Sequence, residues 1–250
     1  MDADLATRGY RQAPPPAVLA PFVSAVWTNT IHPDDPQLVV PDGSADLVWL
    51  GDHGRASGVI VAGPDTGPRS VPVARPTTYA GLRFRPGVAS VLLGVPLHAV
   101  ADANVPLGEL WAPAAARELA ERAAAGRPEL VLADAVADRL ARLDGADADA
   151  GVRGAALARA LRAEDGPGAV ARVAASLGVS ERQLHRRSRA LFGYGPKTLQ
   201  RVLRFQDALR LARRQVGLAR AAAEAGYADQ AHMAREVRTL TGTTLTDLLA

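Results

Sequence analysis

The chain has 250 residues, of which 48% are hydrophobic and 22% are charged, so it can form one large or two modest domains with cores of their own. This composition argues against disorder. The absence of cysteine excludes disulfides, iron–sulfur clusters, thiolate zinc sites and a cysteine nucleophile.

The N-terminus and the hydropathy pattern argue against a membrane or secreted protein. No apolar run approaches the roughly 18 residues of a membrane span. The first ten residues, MDADLATRGY, are acidic, whereas a signal peptide begins basic and continues apolar. The five histidines form no H-x-H or H-x-x-x-H pair. We therefore expect a soluble cytoplasmic protein without a metal site or cofactor.

The charge is distributed unevenly along the chain. Residues 1–150 hold 12 arginines and 18 acidic residues, a balance of −6, whereas residues 151–250 hold 17 basic and 8 acidic residues, a balance of +9. A basic nucleic-acid-binding module attached to an acidic domain produces such an asymmetry, although chance drift in an arginine-rich chain can do so too.

The first 112 residues have the pattern of a β domain. Pro and Gly interrupt the chain at short intervals, and the segments between them are strand-like: QLVV, ADLVWL, SGVIVAG, RSVPVA and TTYAGLRF. This pattern predicts an antiparallel sandwich or barrel. The segment GVASVLLGV, residues 87–95, fits either a strand or a short helix.

From Pro113 the pattern becomes helical. PAAARELAERAAAG begins with Pro and ends with Gly, as helices often do. The next segment carries an apolar stripe that can pack on the β domain or on a second copy of the chain: Leu132, Val136, Leu140 and Leu143. DGADADAG, residues 144–151, is the predicted linker, followed by a short helix over 152–163.

The basic half contains one arrangement twice. In AVARVAASLGVSERQLHRRSRALFG, Gly178 marks a turn between two helices, and Ser180 with Gln183 forms a possible capping box. In LARAAAEAGYADQAHMAREVRTLTG, Gly226 marks the turn and Asp229 the cap. Both segments follow the helix-turn-helix plan. An amphipathic helix over 196–214, about 28 Å long, lies between them and can hold two recognition helices about one duplex turn apart.

These motifs resemble the C-terminal DNA-binding domain of the AraC/XylS transcription regulators, over about residues 168–250. The resemblance rests on VAASLGVSERQLHRRSRALFGYGPK and on the A-x-x-x-G-Y-x-D-x-x-H-M-x-R pattern that ends at Arg235. The chain departs from the family pattern at Ser188, where an apolar core residue is usual, and at Met233, Val237 and Leu245. With Ser188 at that position, we expect the first recognition helix to pack less firmly.

The helical pattern and the resemblance together predict the DNA contacts. Base-reading residues are expected on the outward faces of the two recognition helices: Arg182, His185, Arg186, Arg189, Gln230 and Arg235. Phosphate contacts are expected from Lys197, Arg201, Arg204 and Arg238. His232 is expected to cap or pack inside, and Arg187 is left unassigned. Any one of these residues can instead be a solvated charge.

The N-terminal half resembles an uncharacterised domain of actinobacterial regulators. For the family at large, this position implies a cupin-like barrel that senses an effector and assists dimerisation. The candidate pocket residues are Trp27, Trp49, Tyr79, Arg83, Phe84, Arg85 and Trp111. The aromatic residues can equally be core, and an anionic effector is plausible only if the arginines face the interior. Alternatively, this half only dimerises or contacts another protein.

An enzyme is the least favoured interpretation, and we predict no catalytic residues. PDGSADLVWLGDH contains Asp42, Asp46, Asp52 and His53, which could support acid–base chemistry. These residues fall at expected turns, where Asp is common for backbone reasons. GPDTGP lacks the lysine of a P-loop.

The sequence therefore predicts an α+β protein of two domains. Residues 1–112 form a β-rich sensor or dimerisation domain, with a cupin-like barrel or sandwich, residues 113–165 a helical connector, and residues 166–250 an all-α domain with two helix-turn-helix units joined by a long helix. We expect a bacterial transcription regulator that binds double-stranded DNA, responds to a small-molecule effector, can form a homodimer and does not contact a membrane.

Overall fold

The computed structural model describes residues 9–35, 37–52, 55–164 and 166–249. Its N-terminal half contains a six-stranded antiparallel sheet. The strands are β1 Arg11–Ala13, β2 Val23–Ile31, β4 Asp46–Asp52, β5 Arg55–Ala62, β7 Thr77–Phe84 and β8 Asn104–Pro106, and their order in the sheet is β1-β2-β7-β4-β5-β8. Two further strands, β3 Gln37–Val39 and β6 Arg69–Val71, pair as an antiparallel ribbon. All five strand-like segments of the sequence form strands, and the predicted β-rich half is confirmed.

The two faces of the sheet have different partners. On β4, Leu47 and Trp49 point toward one face and are buried, and the Trp49 Nε1 donates to the Ala120 carbonyl at 3.2 Å. Asp46 and Val48 point toward the other face, as the two-residue period of a strand requires. In the described residues the pairing begins at β1 and ends at β8, so the sheet is open, and helices cover one of its faces.

Three helices complete the N-terminal core. The ambiguous segment at 87–95 contains a short helix, α1 Ala89–Leu93. Helix α2 Pro113–Ala125 begins at a proline, as predicted, and α3 Pro128–Leu140 does so too; both pack on the sheet. Leu132 and Val136 of the apolar stripe are fully buried in this core, so the stripe packs on the β domain of its own chain.

The predicted linker at 144–151 is helical instead. Helix α4 Gly145–Ala163 includes residues 145–151 of this segment and the predicted helix after them. Leu157 and Leu161 of α4 are buried in a second core with the C-terminal helices, whereas Ala155 packs on the first core. The segment 113–165 is therefore divided between two cores, because α2 and α3 pack on the sheet and α4 packs on the C-terminal half.

The C-terminal half is all-α. Its helices are α5 Ala169–Ser176, α6 Glu181–Phe192, α7 Pro196–Arg213, α8 Leu218–Glu224 and α9 Gln230–Thr241. Helix α7 is the predicted linking helix, and its 18 residues make it about 27 Å long. Its buried positions include Leu199, Val202, Phe205 and Leu209, which belong to the second core together with residues of α4, α5, α6 and α9.

The two halves of the chain touch at several points. The Gln206 Nε2 of α7 donates to the Pro41 carbonyl at 2.7 Å. Gly87, just before α1, and Gly154 of α4 lie so close that a Cβ on Gly154 would overlap the Gly87 carbonyl. A Cβ on Gly193, after α6, would lie 2.6 Å from the Pro64 ring. These contacts hold the sheet domain against α4, α6 and α7.

A short turn attaches the β3–β6 ribbon to the sheet. Asp65 accepts a hydrogen bond from the Arg69 Nη2 at 3.0 Å, and the Thr66 N–H donates to the Asp102 carboxylate at 2.6 Å. Asp65 is 7% exposed. Burial raises the pKa of Asp65 to about 6, although the neighbouring Arg69 guanidinium opposes this shift.

We expect Gly154→Ala to lower the free energy of unfolding by about 1–3 kcal/mol, because the added methyl group meets backbone atoms that cannot move aside cheaply. The matched control is Gly151→Ala on the same helix, where a Cβ would meet the Phe22 ring at 3.6 Å and the Val88 side chain at 3.7 Å, ordinary contact distances. This variant should be stabilised by up to about 1 kcal/mol. Urea unfolding of the three chains measures both effects, and equal stabilities would contradict the close approach.

The Asp65 carboxyl should make stability depend on pH. The pKa of Asp65 is about 6 in the folded chain and 3.8 for an ordinary Asp, so the folded chain binds the proton more tightly than the unfolded chain does. The proton therefore stabilises the fold fully below pH 3.8, and this stabilisation is lost as the pH rises through about 6. From pH 5 to pH 7 the wild type should lose about 1 kcal/mol of unfolding free energy that Asp65→Asn does not lose. Urea unfolding of both chains at the two pH values measures this, and a constant difference between them would refute it.

Candidate nucleic-acid interface

The first helix-turn-helix unit consists of α5, a turn at Gly178 and α6. Gly178 has a φ of +62°, a conformation that favours glycine. The predicted capping box is confirmed: the Gln183 N–H donates to the Ser180 Oγ at 3.2 Å, and the Ser180 N–H donates to the Gln183 Oε1 at 2.9 Å. The two reciprocal bonds fix where α6 begins.

Ser188 lies on the buried face of α6 and is 0% exposed, as are Leu184 and Phe192. Its hydroxyl donates to the Tyr194 carbonyl at 2.8 Å. The polar side chain is therefore satisfied, and it ties α6 to the turn that leads into α7. We expected weak packing at this position, but a buried hydrogen bond holds the side chain in place. A sequence pattern that looks for apolar core residues does not predict such a bond.

The opposite face of α6 is basic. Arg182, Arg186 and Arg189 follow the i, i+4, i+7 spacing of one helix face. All three are exposed, and the described residues provide no partner for them. His185 is also exposed, but its ring lies over Gly195, where a Cβ would be 2.7 Å from the Nε2. Arg187 is exposed on the flank of the helix. The arginine face is thus available to an external anion.

The second unit repeats this design with α8 and α9. Asp229 caps α9, since its Oδ1 accepts a hydrogen bond from the His232 N–H at 2.6 Å. Met233 and Val237 are buried, at the positions where the chain departs from the family pattern. The His232 ring packs edge-on against the Tyr227 ring, with 5.3 Å between centroids. His232 therefore has a packing role, as expected.

The exposed side of α9 carries Gln230, Arg235 and Arg238. Gln230 is the first residue of the helix, where free backbone N–H groups can face a phosphate. Leu245, in place of the usual proline, is 5% exposed and belongs to the second core. The chain after α9 therefore packs back on the domain and continues as a 3₁₀ turn over Asp247–Leu249.

The cations of the linking helix differ in their partners. Lys197 is exposed in the first turn of α7. Arg201 forms a salt bridge with Glu236 of α9 at 3.2 Å, and the Arg204 guanidinium lies 5.3 Å from the centre of the Tyr227 ring. Arg201 and Arg204 thus join α7 to the second unit. Because that unit packs along α7, the full helix length does not measure the separation of the recognition helices.

A cavity of about 210 Å³ lies between the sheet, the β3–β6 ribbon and α7. Three of the candidate pocket residues line it, Trp27, Tyr79 and Arg83. The ribbon contributes Leu38 and Val71, and α7 contributes Gln206, Leu209 and Arg213. The cavity is therefore walled by both halves of the chain.

Four of the candidate pocket residues lie elsewhere. Trp49 and Phe84 alternate with cavity-facing residues along their strands, so both are buried on the helix-covered face. Arg85 follows the end of β7 and donates from its Nε to the Ala20 carbonyl at 2.8 Å. Trp111 packs under Arg139, whose guanidinium lies 4.7 Å from the ring centre. These four residues are excluded from the cavity.

The charged groups of the cavity wall are paired with one another. Arg83 forms ion pairs with Asp42 at 3.2 Å and with Asp46 at 3.3 Å. Asp46 also accepts a hydrogen bond from the Trp27 Nε1 at 3.0 Å. Burial raises the pKa of Asp46, and the Arg83 guanidinium opposes that shift. Of the residues considered for acid–base chemistry, Asp42 and Asp46 thus serve this network, whereas His53 lies outside the described residues.

Of the cavity residues on strand β2, the sequence indicated Trp27 but neither Asn29 nor Ile31, and it did not indicate the contribution of α7. Trp27, Asn29 and Ile31 alternate along VSAVWTNTI and all line the cavity. The period-two alternation of this segment was a usable signal. No comparable signal exists for Gln206 and Leu209, because their exposure to the cavity depends on how α7 docks on the sheet.

Comparisons with known protein families give two matches, one in each half of the chain. Residues 173–250 match a family model described as a helix-turn-helix domain, and residues 11–106 match one described as a domain of unknown function, DUF6597. No curated protein matches the chain significantly. Neither matching model describes an enzyme. Among the described residues, every helix is too short or too polar to span a bilayer.

Solved structures of ToxT from Vibrio cholerae are similar at low identity. ToxT of strain O395 is 7% identical, with 97% of this chain and 98% of that chain covered and a TM-score of 0.49. A 1.65 Å structure of ToxT is 10% identical, with coverages of 90% and 97% and a TM-score of 0.47. Wild-type ToxT bound to an unsaturated fatty acid is 10% identical, with coverages of 90% and 94% and a TM-score of 0.45.

The family model and the two capped units agree on the nature of the C-terminal half. Both recognition helices lie within the matched residues, and so do the linking helix and α8. The chain therefore carries a helix-turn-helix domain of the AraC type at its C-terminus, preceded by a domain of unknown function.

Proposed function

We propose that the chain is a sequence-specific transcription regulator that binds double-stranded DNA through α6 and α9 and responds to a small molecule in the cavity. The observation that carries this proposal is the basic face of α6. Arg182, Arg186 and Arg189 are exposed on one side of a helix whose opposite side is anchored in the core. Arginines in this arrangement can bond guanine edges bidentately in the major groove.

The roles of the individual residues follow from their contacts. We assign base reading to Arg182, Arg186, Arg189, Gln230 and Arg235, and a flanking role to His185, whose ring also covers Gly195. Lys197 and Arg238 are assigned to phosphates. Arg201 and Arg204 are assigned to positioning, because their side chains already bind Glu236 and pack on Tyr227.

The position of the cavity supports effector sensing over pure dimerisation. Its wall includes aromatic side chains of the sheet and Gln206, Leu209 and Arg213 of α7. A ligand there would contact the sheet domain and the DNA-binding half at once. Such a ligand would bind one relative arrangement of the two halves better than another and would therefore shift the DNA-binding equilibrium. Homodimerisation stays a prediction from the sequence.

We divide the chain into a sensor domain and a DNA-binding domain on the basis of the two cores. The sheet, α1, α2 and α3 share the first core, so the sensor domain extends through about residue 143. Helix α4 packs on α7 through Leu157 and Leu161, and the Arg162 Nε donates to the Asp207 carboxylate at 2.8 Å. We therefore place α4 with the DNA-binding domain.

Substitution of the recognition helices tests the DNA-binding proposal. Arg186→Ala and Arg235→Ala should each weaken binding to a duplex selected from random DNA by about 1–3 kcal/mol, with a smaller loss on unselected duplex. The control is Arg117→Ala, which removes one exposed charge from α2. Fluorescence anisotropy on both duplexes measures the effect. If a variant loses the same binding free energy on both duplexes, that arginine does not read bases. If the wild type shows no salt-dependent binding to DNA, the proposal as a whole is refuted.

The two cations Lys197 and Arg201 should differ in their salt dependence. Lys197→Ala should reduce the slope of log K against log salt concentration by about 0.9, because one phosphate contact is lost. Arg201→Ala should leave the slope unchanged and weaken binding through α9. A double-mutant cycle with Glu236→Ala should give a coupling of about 0.5–1 kcal/mol in stability. A reduced slope for Arg201→Ala would instead assign Arg201 to a phosphate.

A further inference from the structure

Two buried polar atoms in the cavity wall have no hydrogen-bond partner in the described residues. Asn29 is 6% exposed, and its Oδ1 is without a donor, although its Nδ2 donates to the Gln37 Oε1 at 3.3 Å. The Nε of Arg69 is buried without an acceptor, although its Nη2 binds Asp65 and its Nη1 binds Asn104. A buried polar atom without a partner costs about 1–3 kcal/mol, so a ligand that satisfies these atoms is favoured.

The cavity wall as a whole is electrically balanced. Three guanidinium groups, those of Arg69, Arg83 and Arg213, face the cavity, and three carboxylates lie on or behind the wall. Asp42 and Asp46 pair with Arg83, Asp65 pairs with Arg69, and Arg213 is not free either. An ionic ligand would have to break one of these pairs or remain uncompensated in a desolvated site, and both are costly.

The remaining wall is largely apolar. The sheet contributes Ile31, Val48 and Ile60, the ribbon contributes Leu38 and Val71, and α7 contributes Leu209. The volume, about 210 Å³, far exceeds the roughly 10–15 Å³ that one water molecule needs. Two residues of this mainly apolar lining, Asn29 and Arg69, thus each hold an unpartnered polar atom that is covered in this structure, so a ligand would reach it only after the side chain turns toward the cavity. An apolar lining with a few polar groups is common in small-molecule sites.

We propose that the cavity binds an uncharged, mainly apolar small molecule that carries a hydrogen-bond donor and an acceptor, with Asn29 accepting from the donor and Arg69 donating to the acceptor. A carboxamide or a hydroxylated ketone has this chemistry. The proposal rests on the proposed effector function, because it names the chemical class that the sensor domain recognises. It makes Asn29 the residue that determines specificity.

A matched series of probes tests the class of ligand. Pentanamide, hexanamide and heptanamide share their chains with the corresponding carboxylates, alkylammonium ions and methyl esters. Calorimetry and the fluorescence of the cavity residue Trp27 measure binding to the full chain. At least one amide should bind at least tenfold more tightly than its acid, amine and ester counterparts. Equal or tighter binding of a charged counterpart overturns the proposal, and so does the absence of amide binding at millimolar concentration.

Two variants of Asn29 test the residue assignment. Asn29→Leu should lose the amide preference, and Asn29→Asp should shift the preference toward the ammonium probe, because a carboxylate then replaces the free amide oxygen. Thr28→Val is the control, since Thr28 neighbours Asn29 on β2 and points toward the opposite face. An unchanged amide preference in both Asn29 variants overturns the assignment, whether or not the variants differ in stability.

DNA binding separates this inference from the proposed function. The same preparations are titrated with the selected duplex, with and without hexanamide. If the amide binds but the affinity for the duplex does not change, the proposed ligand class holds and the proposed effector function is wrong. If the chain binds the duplex in a salt-dependent way but prefers carboxylates to amides, the proposal of a DNA-binding regulator holds and the proposed ligand class is wrong.

Discussion

The burial of helix α7 is the constraint on which the rest of the structure depends. Leu199, Val202 and Phe205 are each 0% exposed, in a core that α4, α5, α6 and α9 also enter. The same helix donates from Gln206 to the Pro41 carbonyl and forms part of the cavity wall. Most of the surface of α7 is covered by other elements, so the sheet domain and both helix-turn-helix units contact the same helix.

Close backbone contacts add to the connection between the two halves. Gly87 and Gly154 meet without side chains between them, so α4 lies directly against the loop before α1. Gly193, with a φ of +85°, ends α6 beside Pro64 of the sheet domain. The first recognition helix is thereby held at its C-terminal end by the domain that contains the cavity, while its N-terminal end stays exposed. The first helix-turn-helix unit and the N-terminal half are thus in direct contact although they are distant in sequence.

Most local structure was predictable because local signals determine it. Ser180 and Gln183 predicted the start of α6, and Pro113 and Pro128 lie at the first positions of α2 and α3. Prediction failed where a distant partner decides the outcome. DGADADAG has the composition of a linker but forms the start of α4, whose later turns are stabilised by the second core. Ser188 was expected to weaken the packing of α6, yet its hydroxyl donates a buried hydrogen bond to the carbonyl of Tyr194.

The sequence by itself determined the two helix-turn-helix units, their caps and the outward arginines of α6, because helix periodicity and capping act within a few residues. Only the tertiary structure decided that Arg201 is engaged by Glu236, that Trp49 and Phe84 are core, and that Asn29 faces a cavity closed by α7. The physical reason is that ion pairs, sheet faces and cavities are formed by residues far apart in the chain, whose approach is set by packing and not by local pattern.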